Sequence, residues 1–256
     1  MNGHADSLIH LDHVSKSFGR REVLEDVSFE VSAGEAFCML GKSGTGKSVT
    51  LKLMIGLLAS DRGSIVIDGQ EVQHLDRKSL LEVRKKVGFM FQDGALFDSI
   101  PLGENLAFPL RRHTSKSVKE IREIVREKLS EVGLEKELNK MPADLSGGMR
   151  KRAGLARALV LDPPILLADE PGSGLDPVTA AEIGGLLRDL KEKQRTTLVV
   201  VTHDAAQVHG FADRLGVLDR GRMIACGTPE ELADSRDELV RALASGGEAK
   251  DVFSKS

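Results

Sequence analysis

The chain has 256 residues, 41% of them hydrophobic and 29% charged, the mixture of an ordinary soluble globular protein long enough to bury a sizeable core without staples. A formal net charge of −3 gives no bulk electrostatic footprint for nucleic acid. No apolar run approaches the roughly 18 residues of a membrane span, and the polar start, Met1 to Leu8, lacks the apolar stretch of a signal peptide. Cys38 and Cys226 sit in apolar or strand-like surroundings without a paired-cysteine motif, and read as buried free thiols of a reducing compartment.

In chain order, Ile9, Leu11 and Val14, then Val27, Phe29 and Val31, alternate with polar residues, which predicts half-buried strands of an antiparallel layer. Ala36 to Leu40 is apolar on both faces, as a central parallel strand requires. A glycine-rich loop follows from Gly41, then a helix over Lys47 to Leu58. Ile65 to Ile67 and Val87 to Phe91 read as strands. Val118, Ile121, Val125, Leu129 and Val132 have the spacing of an amphipathic helix, and the acid-balanced charges from Lys116 to Lys128 read as its solvated face. A second helix spans Gly147 to Leu161, with Ser146 as its N-cap. Ile165 to Ala168 and Leu198 to Val201 are short buried strands, separated by helical patterns at Pro177 to Glu192 and Ala205 to Ala212. Arg214 to Leu218 and Met223 to Cys226 close the core around an Asp219-Arg220-Gly221 turn.

Strands alternating with helices imply an α/β fold with a parallel-sheet core. The mostly helical stretch at 92–161 interrupts that alternation and reads as an inserted helical subdomain, within a single domain over 1–245. The remainder, 246–256, is a polar tail of the kind that is mobile.

Two motifs carry chemistry. Gly41-Lys42-Ser43-Gly44-Thr45-Gly46-Lys47-Ser48 matches the phosphate-loop pattern at every fixed position, after an apolar strand and before a helix. Its glycines let backbone N–H groups curl inward toward phosphate oxygens, and the helix N-terminus adds partial positive charge. Lys47 reaches the β- and γ-phosphates, and the Ser48 hydroxyl is a ligand for Mg²⁺. The strand from Ile165 ends in Asp169 and Glu170. At the carboxyl edge of a parallel sheet Asp169 suits Mg²⁺, and Glu170 suits a general base that orients water. Alone, such an acidic strand end is often a surface turn; after a complete phosphate loop it is a nucleotide-hydrolysis site.

Leu145-Ser146-Gly147-Gly148-Met149, placed ahead of that acidic strand, resembles the signature motif of ABC ATPases, and the resemblance runs from about Leu8 to Leu243. Gln92 resembles the family's Q-loop glutamine, Ser173 to Asp176 its D-loop, His203 its switch histidine, and Phe18 the aromatic that stacks on adenine. The chain has no Tyr or Trp, so only Phe can make that stack. The resemblance implies the fold of that family: a phosphate-loop core, an N-terminal antiparallel β layer and an inserted helical subdomain. It also implies ATP contacts from Phe18, the loop Gly41 to Ser48 and Thr50, with Gln92 joining Ser48 and Asp169 around Mg²⁺. Catalysis would fall to Lys47, Gln92, Glu170 and His203. Two ATP units would lie between two copies of the chain, each completed by the other copy's Ser146 to Met149. That glycine-bearing helix N-terminus lets backbone N–H groups approach a γ-phosphate closely.

Met149 stands where most of the family has Gln, and Gly172 where Thr is common; little functional effect is expected of the latter. With Phe91 to Phe97, Glu104 to Arg111, His113-Thr114 and Met149 to Arg152, the chain resembles the Mla and Mce-associated ATPases. That implies bacterial lipid transport from the cytoplasmic face of the inner membrane, with a homodimer of the chain, a permease, a periplasmic MCE-type lipid-binding protein and a small accessory subunit as partners. An importer ATPase for amino acids or metal complexes would share the chemistry and differ at the permease-facing segment. A soluble switch acting in DNA repair or translation would carry coiled-coil insertions or tandem ATPase domains, which this chain lacks. A non-catalytic scaffold would not need Lys47, Asp169, Glu170 and His203 together.

Overall fold

The alternating segments at the start of the chain fold as an antiparallel ribbon, β1 (Ser7–Phe18) against β2 (Arg21–Ser32), with Leu11 opposite Phe29 and Val14 opposite Val27. The computed structural model describes residues 7–244, so the expected mobile tail lies outside the described residues. The elements that follow are β3 (Ala36–Leu40), α1 (Lys47–Met54), β4 (Arg62–Ile67), β5 (Gln70–Glu71), α2 (Arg77–Lys85) and β6 (Val87–Met90). Next come α3 (Leu102–His113), α4 (Val118–Glu131), α5 (Gly147–Leu159), β7 (Ile165–Asp169), α6 (Pro177–Gln194) and β8 (Thr197–Thr202). The described chain closes with β9 (Arg214–Asp219), β10 (Arg222–Gly227), α7 (Pro229–Ala233) and α8 (Glu238–Ala244).

The strands form two sheets. One is antiparallel, in the order β2-β1-β4-β5; the other runs β10-β9-β3-β8-β7-β6 and is parallel except for its edge strand β10. Both faces of the parallel sheet are covered, which is why its strands are apolar throughout. Phe37, Met39, Leu167, Val199 and Val201 point to one side, into a core shared with the antiparallel sheet and α1. Their neighbours Cys38, Leu40, Leu166, Ala168 and Val200 point to the other, against α5, α6 and the closing helices. Phe29 stacks on Phe37 at 4.7 Å between ring centroids and joins the two sheets. A third core belongs to the helical region itself, where Leu106, Leu110, Val125, Leu129 and Ala156 meet between α3, α4 and α5.

Four expectations are corrected. The helix predicted over Ala205 to Ala212 is a single 3-10 turn, Ala205–Gln207: the Asp204 side chain caps Ala206, and Val208 and Phe211 turn into the core before Gly210 and Ala212 can continue a helix. The first helix after the loop ends at Met54, where the Leu57 and Leu58 amides both close on the Lys52 carbonyl. Cys226 is exposed on the edge strand β10, accepting a bond from Arg214; only Cys38 is buried, and burial pushes its thiol far up. The face of α4 is solvated except at Lys128, which is buried and bridges Glu131 and Asp162.

Candidate functional site

The loop between β3 and α1 has little freedom. A Cβ at Gly41 would meet the Leu218 carbonyl oxygen at 2.3 Å, and Gly46, at φ 112, would place one 2.4 Å from Leu24. Only glycine fits either position, so the loop is seated against β9 and β2 by the absence of side chains. Thr45 closes the curl by donating to the Lys42 carbonyl at 2.9 Å. Thr50 is fully buried and donates back to the Gly46 carbonyl at 3.2 Å. It braces the loop from behind.

Lys47 and Ser48, the first residues of α1, face the end of β7. The Ser48 hydroxyl donates to Asp169 at 2.8 Å, across the junction between loop and sheet. Two hard oxygen donors meet at this point, as Mg²⁺ binding beside phosphate oxygens needs. The Lys47 ammonium is almost fully buried; it donates to the Gly41 and Lys42 carbonyls at 2.7 and 3.0 Å and lies 3.5 Å from Glu170. Burial pushes the Lys47 ammonium down from its ordinary value, against the pull of Glu170. Burial likewise raises Asp169 above the ordinary carboxylate range, opposed by the bond from Ser48.

Glu170 directly follows β7 and is held on all sides. Its backbone N–H extends the β7–β8 ladder to the Val201 carbonyl at 2.9 Å, and the chain then turns sharply with Glu170 at φ 49, a conformation few non-glycine residues adopt. The carboxylate is buried yet reached from three directions: His203 Nδ1 lies 2.8 Å from Oε2, the Thr202 hydroxyl donates to the same oxygen at 3.3 Å, and Lys47 faces Oε1. His203 and Thr202 come from the end of β8, so adjacent parallel strands supply the carboxylate and its orienting partners.

Lys47, Ser48, Glu170 and His203 line a cleft of about 400 Å³ together with Phe18, Gln92 and Arg21, and Asp169 adjoins it through its bond from Ser48. Phe18 is exposed at the cleft wall, with the Lys16 ammonium 5.5 Å above its ring. Gln92 follows β6 and enters from the opposite side. Sequence reasoning missed Arg21 and Thr202; Arg21 opens β2 across the two-residue turn from Phe18, the last residue of β1, and that adjacency was the available signal.

Ser146 to Met149 lie elsewhere. Ser146 caps α5 by accepting from the Met149 N–H at 3.2 Å, and the turn is open to solvent at Ser146 and Gly147 without lining the cleft. Asp176 caps α6, accepting from the Val178 and Thr179 N–H groups and, at 2.6 Å, from the Thr179 hydroxyl, which holds its carboxyl below the usual range.

The profile of the ABC transporter family matches residues 24–173. The chain is 49% identical over 238 residues to the probable ribonucleotide transport ATP-binding protein Mkl of Mycobacterium tuberculosis, covering 93% of this chain but only 66% of the relative's length. It is 40% identical over 234 residues to the intermembrane phospholipid transport system ATP-binding protein MlaF of Haemophilus influenzae, covering 91% of this chain and 89% of that one. Among solved structures, a dimeric ATP-binding cassette in a post-hydrolysis state, bound to ADP and Pi, superposes with a TM-score of 0.80 at 34% identity, covering 86% of this chain and 98% of that one. The fold, the cleft and these similarities agree: the chain belongs to the ABC transporter family and has the fold of its ATPase cassettes.

Proposed function

We propose that the chain binds ATP with Mg²⁺ and hydrolyses it as one half of a nucleotide-sandwiching homodimer, driving lipid transport through a membrane permease. The observation that carries the ATPase reading is the convergence of Lys47, Ser48, Glu170 and His203 on one cleft at the carboxyl edge of the sheet, with Asp169 bonded to Ser48 beside it. Phe18 stacks on the adenine. Lys47 exchanges its loop carbonyls for phosphate oxygens, and Ser48 and Asp169, with Gln92, would hold Mg²⁺, which would supply positive charge against the phosphates. Glu170 orients the attacking water, with His203 and Thr202 fixing its carboxylate. The second half of the site comes from the partner copy: Ser146 to Met149 stand away from the cleft, with Ser146 and Gly147 exposed, as a surface that completes another chain's site must.

Lipid as the transported substrate rests on the similarity to the phospholipid-transport relative and on the segment around Gln92. In that segment Phe97 and Phe108 are exposed and meet edge to face at 5.2 Å, an apolar surface suited to a permease. Among the described residues no helix is long and apolar enough to cross a membrane; the similarity to the phospholipid-transport relative supports a place on the cytoplasmic face of the bacterial inner membrane. An MCE-type periplasmic lipid-binding protein and a small accessory subunit complete the assembly.

The test is affinity capture of the chain from native membranes in mild detergent, with mass spectrometry of proteins and lipids. A permease with a lipid-binding periplasmic protein and enriched phospholipid is the expected result. A permease with a conventional solute-binding protein, or co-purifying ribonucleotide, would keep the catalytic assignments and overturn the substrate.

A further inference from the structure

Lys151 is an unusual lysine. It lies on α5, just past the turn formed by Ser146 to Met149, and is only 7% exposed. Its ammonium donates to the Glu170 carbonyl at 2.7 Å and to the Ser173 hydroxyl at 3.0 Å; that hydroxyl donates to the same carbonyl at 3.0 Å, and the Ser173 N–H does so at 3.2 Å. The backbone of Glu170 is thus gripped from behind at the residue whose left-handed conformation aims the carboxylate. Lysine is seldom buried without a specific partner, and here the partner is a main-chain oxygen of the catalytic turn. Burial pushes the ammonium down, with the nearby Glu170, Asp93 and Asp169 charges opposing it. A second contact reinforces the link: Gly148 packs so closely on Thr179 that a Cβ there would lie 2.4 Å from Thr179 Cγ2. The first turns of α5 therefore clamp both ends of the segment 170–179.

We propose that Lys151 is a positioning residue for hydrolysis, tying the helix that presents Ser146 to Met149 to the backbone of Glu170, so that seating this turn on the partner copy's nucleotide sets the base in the chain's own site. The inference rests on the ATPase reading and adds to it a physical connection between the two sites of the dimer. Glu170 accepts its side-chain contacts from His203, Thr202 and Lys47 within the cleft, whereas Lys151 acts from outside the cleft, through the main chain. A group that acts in this way alters the rate of the chemical step and leaves the nucleotide's own contacts in place.

The test is steady-state ATP hydrolysis by the full chain carrying Lys151→Met, which keeps length and apolar bulk but removes the donors, and Lys151→Arg, which keeps a donor. Lys151→Met is expected to lower kcat by about 10- to 100-fold, as a small misplacement of a catalytic group does, with KM for ATP changed by less than about threefold. Cooperativity in ATP should fall with it, and Lys151→Arg should recover most of the lost rate. A Lys151→Met chain with kcat within about twofold of wild type would overturn the proposal. So would a loss shared between kcat and KM that Lys151→Arg fails to recover, which is the pattern of a misfolded helix. Should Lys151→Met not fold, Ser173→Ala removes the bridging hydroxyl, and the same selective fall in kcat is expected; an unchanged kcat would overturn the proposal. A wild-type chain that does not hydrolyse ATP would overturn instead the ATPase reading beneath it.

Discussion

Asn105 offers the sharpest test of how the loop after Gln92 is held. Its side chain is completely buried, and it meets that loop on both sides: Oδ1 accepts from the Phe97 N–H at 2.7 Å, while Nδ2 donates to the carbonyls of Phe97 at 3.1 Å and Ile100 at 3.0 Å, with a longer contact to Pro101 at 3.3 Å. Asn105→Ala removes all of these at once. Each neutral bond contributes about 1 kcal/mol net, and the freed groups at Phe97 sit on an exposed loop where water replaces part of the loss, so the cost is about 2–3 kcal/mol. In urea, with a slope near 2–3 kcal/mol/M for a chain of this size, the midpoint should fall by about 1 M at constant slope. Asn105→Asp is the informative companion. It keeps the size and the acceptor for Phe97 N–H but turns an ionised oxygen toward three carbonyls, so it should destabilise more than alanine at neutral pH. Hydrogen exchange of the Phe97 amide reads the same bond locally and should accelerate in both variants. A midpoint shift below about 0.2 M for Asn105→Ala, with unchanged exchange at Phe97, would refute the claim that this amide holds the loop.

Glu170→Gln should lower steady-state hydrolysis by about 10²- to 10⁴-fold, the range of a lost general base, measured by phosphate release; near-wild-type turnover would remove Glu170 from that role. Ser146→Arg and Lys47→Ala should each be inactive alone, yet mixing the two chains should restore activity, because the heterodimer contains one composite site with both residues intact. No recovery would contradict the arrangement in trans. Asp169 is raised in the folded state by burial, so its ionised form opposes folding and stability is lost as pH rises through that raised value. Asp169→Asn keeps the acceptor for Ser48 and should therefore raise the melting temperature of the nucleotide-free chain at neutral pH, by a margin that shrinks as pH is lowered, while abolishing Mg²⁺-dependent hydrolysis. A variant that melts lower than wild type at neutral pH would contradict this.

The parts of the site legible in the sequence are those fixed by local rules. The phosphate loop declares itself because glycine is required where the backbone crowds Leu218 and Leu24, and Asp169 and Glu170 because two carboxylates close an otherwise apolar buried strand. What escaped the sequence depends on packing between distant elements. The burial of Lys151 follows only from α5 lying against the turn after β7. Lys128 belongs to a charge run expected on a solvated face, and Asp162, distant in sequence, draws it inward. Helix α3 carries Pro109 within it, which blurs its pattern, and the stretch after β8 has helical spacing that the core contacts of Val208 and Phe211 override. Cys226 has strand chemistry but lies on the edge of the sheet, and edge position is not written in its neighbours.

The central claim, that ATP joins two copies through Ser146 to Met149, is tested most directly by the mass of the Glu170→Gln chain in solution with ATP and Mg²⁺, measured by light scattering. The account predicts a monomer in ADP that becomes a dimer in ATP, and a monomer in both when Ser146→Arg is added. A Glu170→Gln chain that binds ATP yet stays monomeric, or a dimer that survives Ser146→Arg, would contradict it.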